Sequence, residues 1–272
     1  VALKRRLIAR LDIKAPNLIK QIRMEGLKVV GDPNEYARKY NVQGIDEIIF
    51  IDTVASLYGR NALDQLVSDT SQDVFCPLTV GGGIRSTEDA TRLFNAGADK
   101  IAVNTQALKT PEFLTELAEK FGSQAVVLQI DAKRVGSKYV CWTDGGREPA
   151  DIGVLQWAKK VERLGAGEIL LTSIDNEGTR KGFNTKLIRD IATQVSLPVV
   201  ASGGMGAEEH AITAFASGAD AIAMAHVLHY DTVKLNDIRK YVKAAGFPVR
   251  DEPLVLGPEL TATDVKRRLE GK

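Results

Sequence analysis

Two aspartates close apolar runs in corresponding parts of the chain, at Leu11-Asp12 and Ile130-Asp131. Carboxylates opposed across a ligand form a general acid/base pair, one releasing and one accepting a proton at the same substrate. Two glycine-rich turns also follow apolar runs, Gly81-Gly82-Gly83 and Ser202-Gly203-Gly204. Glycine lets the backbone approach a ligand closely, and the N–H groups of such turns cradle phosphate. Neighbouring runs close with Val103-Asn104-Thr105 and Met224-Ala225-His226. Together these residues predict two phosphate sites, hence an elongated substrate with a phosphate at each end and its reactive centre between Asp12 and Asp131. Position alone leaves a second reading for each aspartate, as a cap of the loop that follows it.

Four charges stand immediately before apolar runs: Arg6, Glu47, Lys100 and Glu168. With two of each sign, they either face solvent separately or close into a ring. Of the three histidines, His226 and His229 read as core or cap residues and His210 as a helix-surface residue. No Cys/His spacing suggests a metal, and two cysteines, Cys76 and Cys141, cannot build a disulfide framework. The expectation is therefore no metal, no cofactor and a reduced, cytoplasmic setting.

The elements that must position these residues are announced by an internal repeat. Pro77–Gly83 aligns with Pro198–Gly204, an offset of 121 residues; Gly97–Val103 with Gly218–Met224 and Glu47–Phe50 with Glu168–Leu171 share that offset. Short apolar runs alternate with stretches of helical period, the pattern of βα units around a parallel sheet. Strands are expected near 7–12, 47–52, 76–80, 100–104, 125–131, 168–173, 198–202 and 221–225. Helices are expected at 86–96, 111–121, 154–164, 185–194, 207–217 and 233–245. Eight such units, with no GxGxxG after the first strand, predict a (β/α)₈ TIM barrel of two half-barrels, about 1–122 and 123–250. Residues 251–272 read as a C-terminal extension with a short helix over 262–270. In such a barrel the strands' C-terminal ends carry the chemistry, where the aspartates and glycine turns fall.

The composition fits this reading. The 272 residues are 44% hydrophobic and 26% charged, enough for a sizeable core. A net charge of +1 gives no global field for nucleic acid or an anionic membrane, and the Lys-Arg-Arg triplets at 4–6 and 266–268 lack interleaved aromatics. Apolar stretches near residue 1 fall short of a signal-peptide core, and no run spans a membrane.

Several of these segments also carry a resemblance. Leu11-Asp12-Ile13-Lys14, Thr79-Val80-Gly81-Gly82-Gly83-Ile84-Arg85-Ser86, Ile130-Asp131-Ala132-Lys133-Arg134, the stretch from Gly165 to Asp175 that includes Thr172, and Ala201-Ser202-Gly203-Gly204 closely resemble the cyclase subunit of imidazole glycerol phosphate synthase, over about residues 3–250. The resemblance implies a histidine-pathway synthase subunit working with a glutaminase subunit as a heterodimer docked at the barrel's N-terminal face. It would use ammonia to split phosphoribulosyl-formimino aminoimidazole carboxamide ribonucleotide, a bisphosphate, into imidazole glycerol phosphate and aminoimidazole carboxamide ribonucleotide. It assigns Asp12 and Asp131 the acid/base roles, Lys20 a part in turnover, and Arg6, Glu47, Lys100 and Glu168 a gate for ammonia. Phosphate and substrate contacts fall on Gly82, Gly83, Asn104, Thr105 and Thr172, and on Gly178, Ser202, Gly203, Gly204, Ala225 and His226.

The chain departs from the family's pattern in the first βα loop, where Ala15-Pro16-Asn17 and Lys20-Gln21 stand in place of Asp-Gly-Arg and Lys-Gly. Arg10 replaces a small residue or cysteine, and His226 a serine. These departures keep a paralogue open, one that channels ammonia to a sugar amidotransferase in surface-glycan synthesis. The related single-chain phosphoribosyl-formimino isomerase shares the half-barrel repeat but needs no gate.

Overall fold

The computed structural model describes residues 3–55 and 63–251. The first apolar run forms β1 (Arg6–Lys14) and continues into an antiparallel hairpin, β2 (Asn17–Ile22) and β3 (Glu25–Gly31). Then follow α1 (Pro33–Val42), β4 (Glu47–Asp52), α2 (Asp64–Asp73), β5 (Leu78–Gly81), α3 (Thr87–Ala96), β6 (Lys100–Val103), the short α4 (Thr105–Lys109) and α5 (Phe113–Phe121). The second half repeats the scheme. Strand β7 (Val126–Val135) carries its own hairpin, β8 (Lys138–Thr143) and β9 (Glu148–Gly153), before α6 (Val154–Arg163), β10 (Glu168–Ser173), α7 (Thr185–Ala192), β11 (Val199–Ser202), α8 (Glu209–Ala216), β12 (Ala221–Met224), the short α9 (His226–His229) and α10 (Leu235–Ala244).

Eight strands pair in parallel in the order β10-β11-β12-β1-β4-β5-β6-β7, and β7 pairs back onto β10, closing a (β/α)₈ barrel. Side chains alternate across each strand, so β1 sends Leu7, Ala9 and Leu11 into the layer beneath the helices. Its other face points into the barrel. There Ile8 meets Ile49, Ile51, Ala102, Val127, Leu170, Val200, Ala221 and Ala223 in a separate apolar layer. This layer divides a charged ring below from a polar mouth above.

The eight strands and six helices expected from the sequence are all present, with ends shifted by up to a few residues. The two hairpins were not expected. Strand β3 buries none of its residues fully, so no apolar alternation marks it, and β9 is likewise largely exposed. The expected extension beyond Asp251, with its helix over 262–270, lies outside the described residues.

The repeat persists in the backbone at the same 121-residue offset. Gly82 and Gly203 have φ of 100° and 96°, and Gly97 and Gly218 of 113° and 103°. Asn104 and Ala225 share an unusual conformation, φ/ψ −134°/−82° and −125°/−75°. The Leu78 N–H donates to Asp99 at 2.8 Å, and the Val199 N–H to Asp220 at 3.0 Å.

Candidate active site

The barrel's polar mouth is built from residues two apart on β1 and β7, which therefore share the inner face. On β1, Arg10 Nε donates to Asp12 Oδ1 at 2.9 Å. On β7, Gln129 Nε2 donates to both oxygens of Asp131 at 3.0 Å, and Asn104 Nδ2 adds a bond of 2.9 Å to Oδ2. Both carboxylates are buried. The two halves thus place a guanidinium and an amide at equivalent positions beside equivalent acids.

That difference separates their proton affinities. Burial alone would raise both, since a low-dielectric site disfavours charge. At Asp12 the Arg10 guanidinium and the Lys20 ammonium outweigh burial and hold the carboxyl below its usual range. At Asp131 burial prevails over Arg10 and the Gln129 bond, and the group is raised to about 6. Arg10, flanked by Asp12, Glu177 and Asp131, is raised in spite of its own burial and stays charged. Two acids with divergent proton affinities at one site can divide acid and base roles between them.

Two cavities flank this pair. The first, about 100 Å³, is walled by Gly82, Gly83, Asn104 and Thr105 with Asp131 and Asp52. Gly82 lies at φ 100°, and a Cβ there would strike the Asp52 carbonyl oxygen; only glycine lets the two backbones meet. The buried Asn104 Oδ1 has no hydrogen-bond partner within the protein. The second cavity, about 10 Å³, is walled by Lys20, Gly178, Ser202, Gly203, Gly204, Ala225 and His226 with Glu177. At Gly204 a Cβ would strike the Gly182 carbonyl oxygen. Lys20 forms a buried ion pair with Glu177, tying β2 to the loop after β10. A Cβ on Gly178 would lie 2.6 Å from the Gln21 carbonyl oxygen, so that loop packs directly on the hairpin.

Asp12 and Thr172 line neither cavity; both sit against Arg10, whose Nη1 donates to Thr172 Oγ1 at 2.8 Å. Sequence reasoning missed Gln129, Glu177 and Asp52. Gln129 was findable, because Gln129-x-Asp131 repeats the spacing of Arg10-x-Asp12. Glu177 carries no such signal, since its partner lies 157 residues away. His226 lines the second cavity, and burial with nearby Arg180 and Lys20 lowers its proton affinity. His229 is a core residue: its Nδ1 meets the Tyr40 hydroxyl at 2.6 Å, and burial lowers it to about 3. His210 does more than sit on a helix surface, accepting the Gly206 and Ala207 N–H groups at 3.0 and 3.2 Å.

At the opposite end of the barrel, the four charges close into a ring. Arg6 pairs with Glu47 at 2.8 Å and with Glu168, while Lys100 reaches the same two carboxylates at 3.3 and 3.1 Å. Each acid is bridged by both bases. Burial opposes the Arg6 charge, but Glu168 and Glu47 overcome it and raise its proton affinity.

Among proteins of known family, the histidine biosynthesis protein family matches residues 6–234, spanning all eight barrel strands. The chain belongs to that family. It is 59% identical over 202 residues to the imidazole glycerol phosphate synthase subunit HisF of Legionella pneumophila, a match covering 74% of this chain and 95% of that protein. The HisF subunits of Corynebacterium diphtheriae and Thermococcus gammatolerans are 47% and 44% identical over 252 and 248 residues, covering 90% and 91% of this chain and 98% of each relative. Within the family the chain therefore stands with the synthase subunits, lyase-type enzymes of histidine biosynthesis. The surface-glycan and isomerase alternatives gain no support from these relatives.

Proposed function

We propose that this chain uses ammonia from a glutaminase partner to convert phosphoribulosyl-formimino aminoimidazole carboxamide ribonucleotide into imidazole glycerol phosphate and aminoimidazole carboxamide ribonucleotide. The observation that carries the reading is the placement on one barrel face of two glycine-walled cavities, with Asp131 in the wall of the first and Asp12 against Arg10, which walls both. A substrate with a phosphate at each end would seat one phosphate among Gly82, Gly83, Asn104 and Thr105. The other would lie among Gly178, Ser202, Gly203, Gly204, Ala225 and His226, with Lys20 beside it. Asp131, poised near neutrality, takes and returns the protons moved as ammonia adds and the ring closes. Asp12 stays ionised and stabilises positive charge on the reacting nitrogen.

The glutaminase docks at the barrel's N-terminal face. In support, that end carries the ring of Arg6, Glu47, Lys100 and Glu168, together with exposed Leu3 and Phe75 on the segments that precede β1 and β5. Ammonia released there would pass the ring and the apolar inner layer before reaching Asp131. Cys76 and Cys141 are free, in keeping with a reduced cytoplasmic setting. Among the described residues no group of three or more His, Cys, Asp or Glu side chains could hold a metal, and no helix is long and apolar enough to cross a membrane.

The test needs no partner. The purified chain, given the bisphosphate ribonucleotide and excess ammonium salt, should consume it and release both products in equal amounts, identified by mass spectrometry. Folded protein that leaves the substrate untouched would refute the assignment.

A further inference from the structure

Arg10 occupies the centre of the barrel mouth and is 3% exposed. Its guanidinium donates to Asp12 at 2.9 Å, Thr172 at 2.8 Å and Ser202 at 3.1 Å. Strands β1 and β10 are separated by β11 and β12 around the barrel, so this side chain crosses the mouth rather than lining its wall. Among the described residues, Arg10 alone walls both cavities. Arg10 therefore stands between the two chambers.

We propose that Arg10 is a partition that sets substrate specificity, excluding ligands that bridge the two chambers unless they displace it. A ligand with one phosphorylated end fits the first chamber, of about 100 Å³, and leaves Arg10 in place. A ligand with a phosphate at each end must draw the guanidinium away from Asp12, Thr172 and Ser202 before its middle can pass. Charge-assisted bonds to a rigid fork are the strongest a side chain makes, so the discrimination is built from bonds the bridging ligand must break. Withdrawal of Arg10 also frees Asp12, which is otherwise covered, so entry of a bridging substrate and exposure of that carboxylate become one event. The inference rests on the function proposed above only in taking the cavities as phosphate sites.

The test compares ligands as a ratio. Calorimetric titration of the whole chain would use glycerol 3-phosphate as the single-phosphate probe. Flexible alkanediol bisphosphates of increasing length serve as generic bridging probes, and the bisphosphate ribonucleotide without ammonia as the specific one. Loss of the Arg10 charge weakens attraction for every anion, and more for a bisphosphate than for a single phosphate, so that effect lowers the ratio of single-phosphate to bridging dissociation constants and opposes the change the partition predicts. In Arg10→Ala the ratio should rise about tenfold or more in favour of the bridging ligand. Thr172→Val, which removes one anchor of Arg10 while keeping both charges, should move it the same way by a few-fold. A parallel loss of both ligand types would make Arg10 an ordinary anion ligand and overturn the proposal, as would an unchanged ratio. Should Arg10→Ala not fold, an unchanged ratio in Thr172→Val overturns it alone. If the alkanediol bisphosphates gain in Arg10→Ala while the ribonucleotide binds neither protein, the partition stands and the assigned reaction falls.

Discussion

Asp12 and Asp131 sit at matched strand ends, yet the residue two positions before each, Arg10 or Gln129, sends their proton affinities in opposite directions. The consequence is measurable. With rates corrected for free ammonia, kcat/KM should fall as pH drops through about 6, because the base form of Asp131 is lost there. Asp131→Asn should erase that limb and lower turnover by about 10²–10⁴-fold with the substrate dissociation constant little changed; near-normal turnover would remove Asp131 from the chemistry. Stability carries the same signature with a definite sign. The folded value lies above the ordinary carboxylate value of 3.8, so the folded form binds the proton more tightly than the unfolded form. Stability from this group is then full below 3.8 and is lost as pH rises through about 6, an effect on the order of 3 kcal/mol. Asp12 has the opposite sign, its contribution being present above 3.8 and lost as pH falls. Urea titrations of wild type and Asp131→Asn at pH 4.5 and 7.5 separate the two, since only the wild type should show the loss assigned to Asp131.

Elements differ in how legibly the sequence announces them. The parallel strands are buried on both faces, so each is a compact apolar run, and the 121-residue repeat marks the two sets of four units. Hairpins β2–β3 and β8–β9 lie outside that logic: their exposed strands carry Leu27, Val29, Lys28 and Glu25 without an apolar period. The acids and glycine turns were legible because their types and strand-end positions carry the chemistry. Glu177 and the crossing of Arg10 were not, because they depend on contacts between strands distant in sequence. The β2–β3 hairpin is held over the second cavity by the Lys20–Glu177 pair and by the Arg23 N–H, which donates to the Glu177 carbonyl at 2.8 Å. Removing one partner of a buried pair costs about 3–5 kcal/mol if the other charge stays buried, but a hairpin can swing outward and hydrate its lysine instead. Glu177→Gln should therefore raise amide hydrogen exchange in 17–31 and 174–182 while the barrel strands keep wild-type protection. Uniform acceleration across the barrel would mean that the pair supports the global fold rather than the position of the hairpin.

At the scale of the whole molecule, the barrel has two ends with different electrostatics joined by an apolar middle. The ring of Arg6, Glu47, Lys100 and Glu168 closes the lower end with four ion pairs, and the Ile8–Val127–Leu170 layer above it offers a small neutral molecule no competing hydrogen bonds. A charged species would face the full cost of desolvation there, so on the proposed function ammonia rather than ammonium would be the species that crosses. Lys100→Ala removes one of the two bases that bridge the acids, leaving Glu47 and Glu168 on Arg6 alone and the ring open on one side. The pairs are partly exposed, so the energetic change is small and the fold should survive. What should change is the coupling between the two ends. With the glutaminase bound, product formed per glutamine hydrolysed should shift by roughly two- to fivefold, while turnover on added ammonium salt, which enters at the mouth, stays near wild type. Equal losses in the two assays would show that Lys100 supports the barrel as a whole, and the ring would then be a structural clasp rather than a gate.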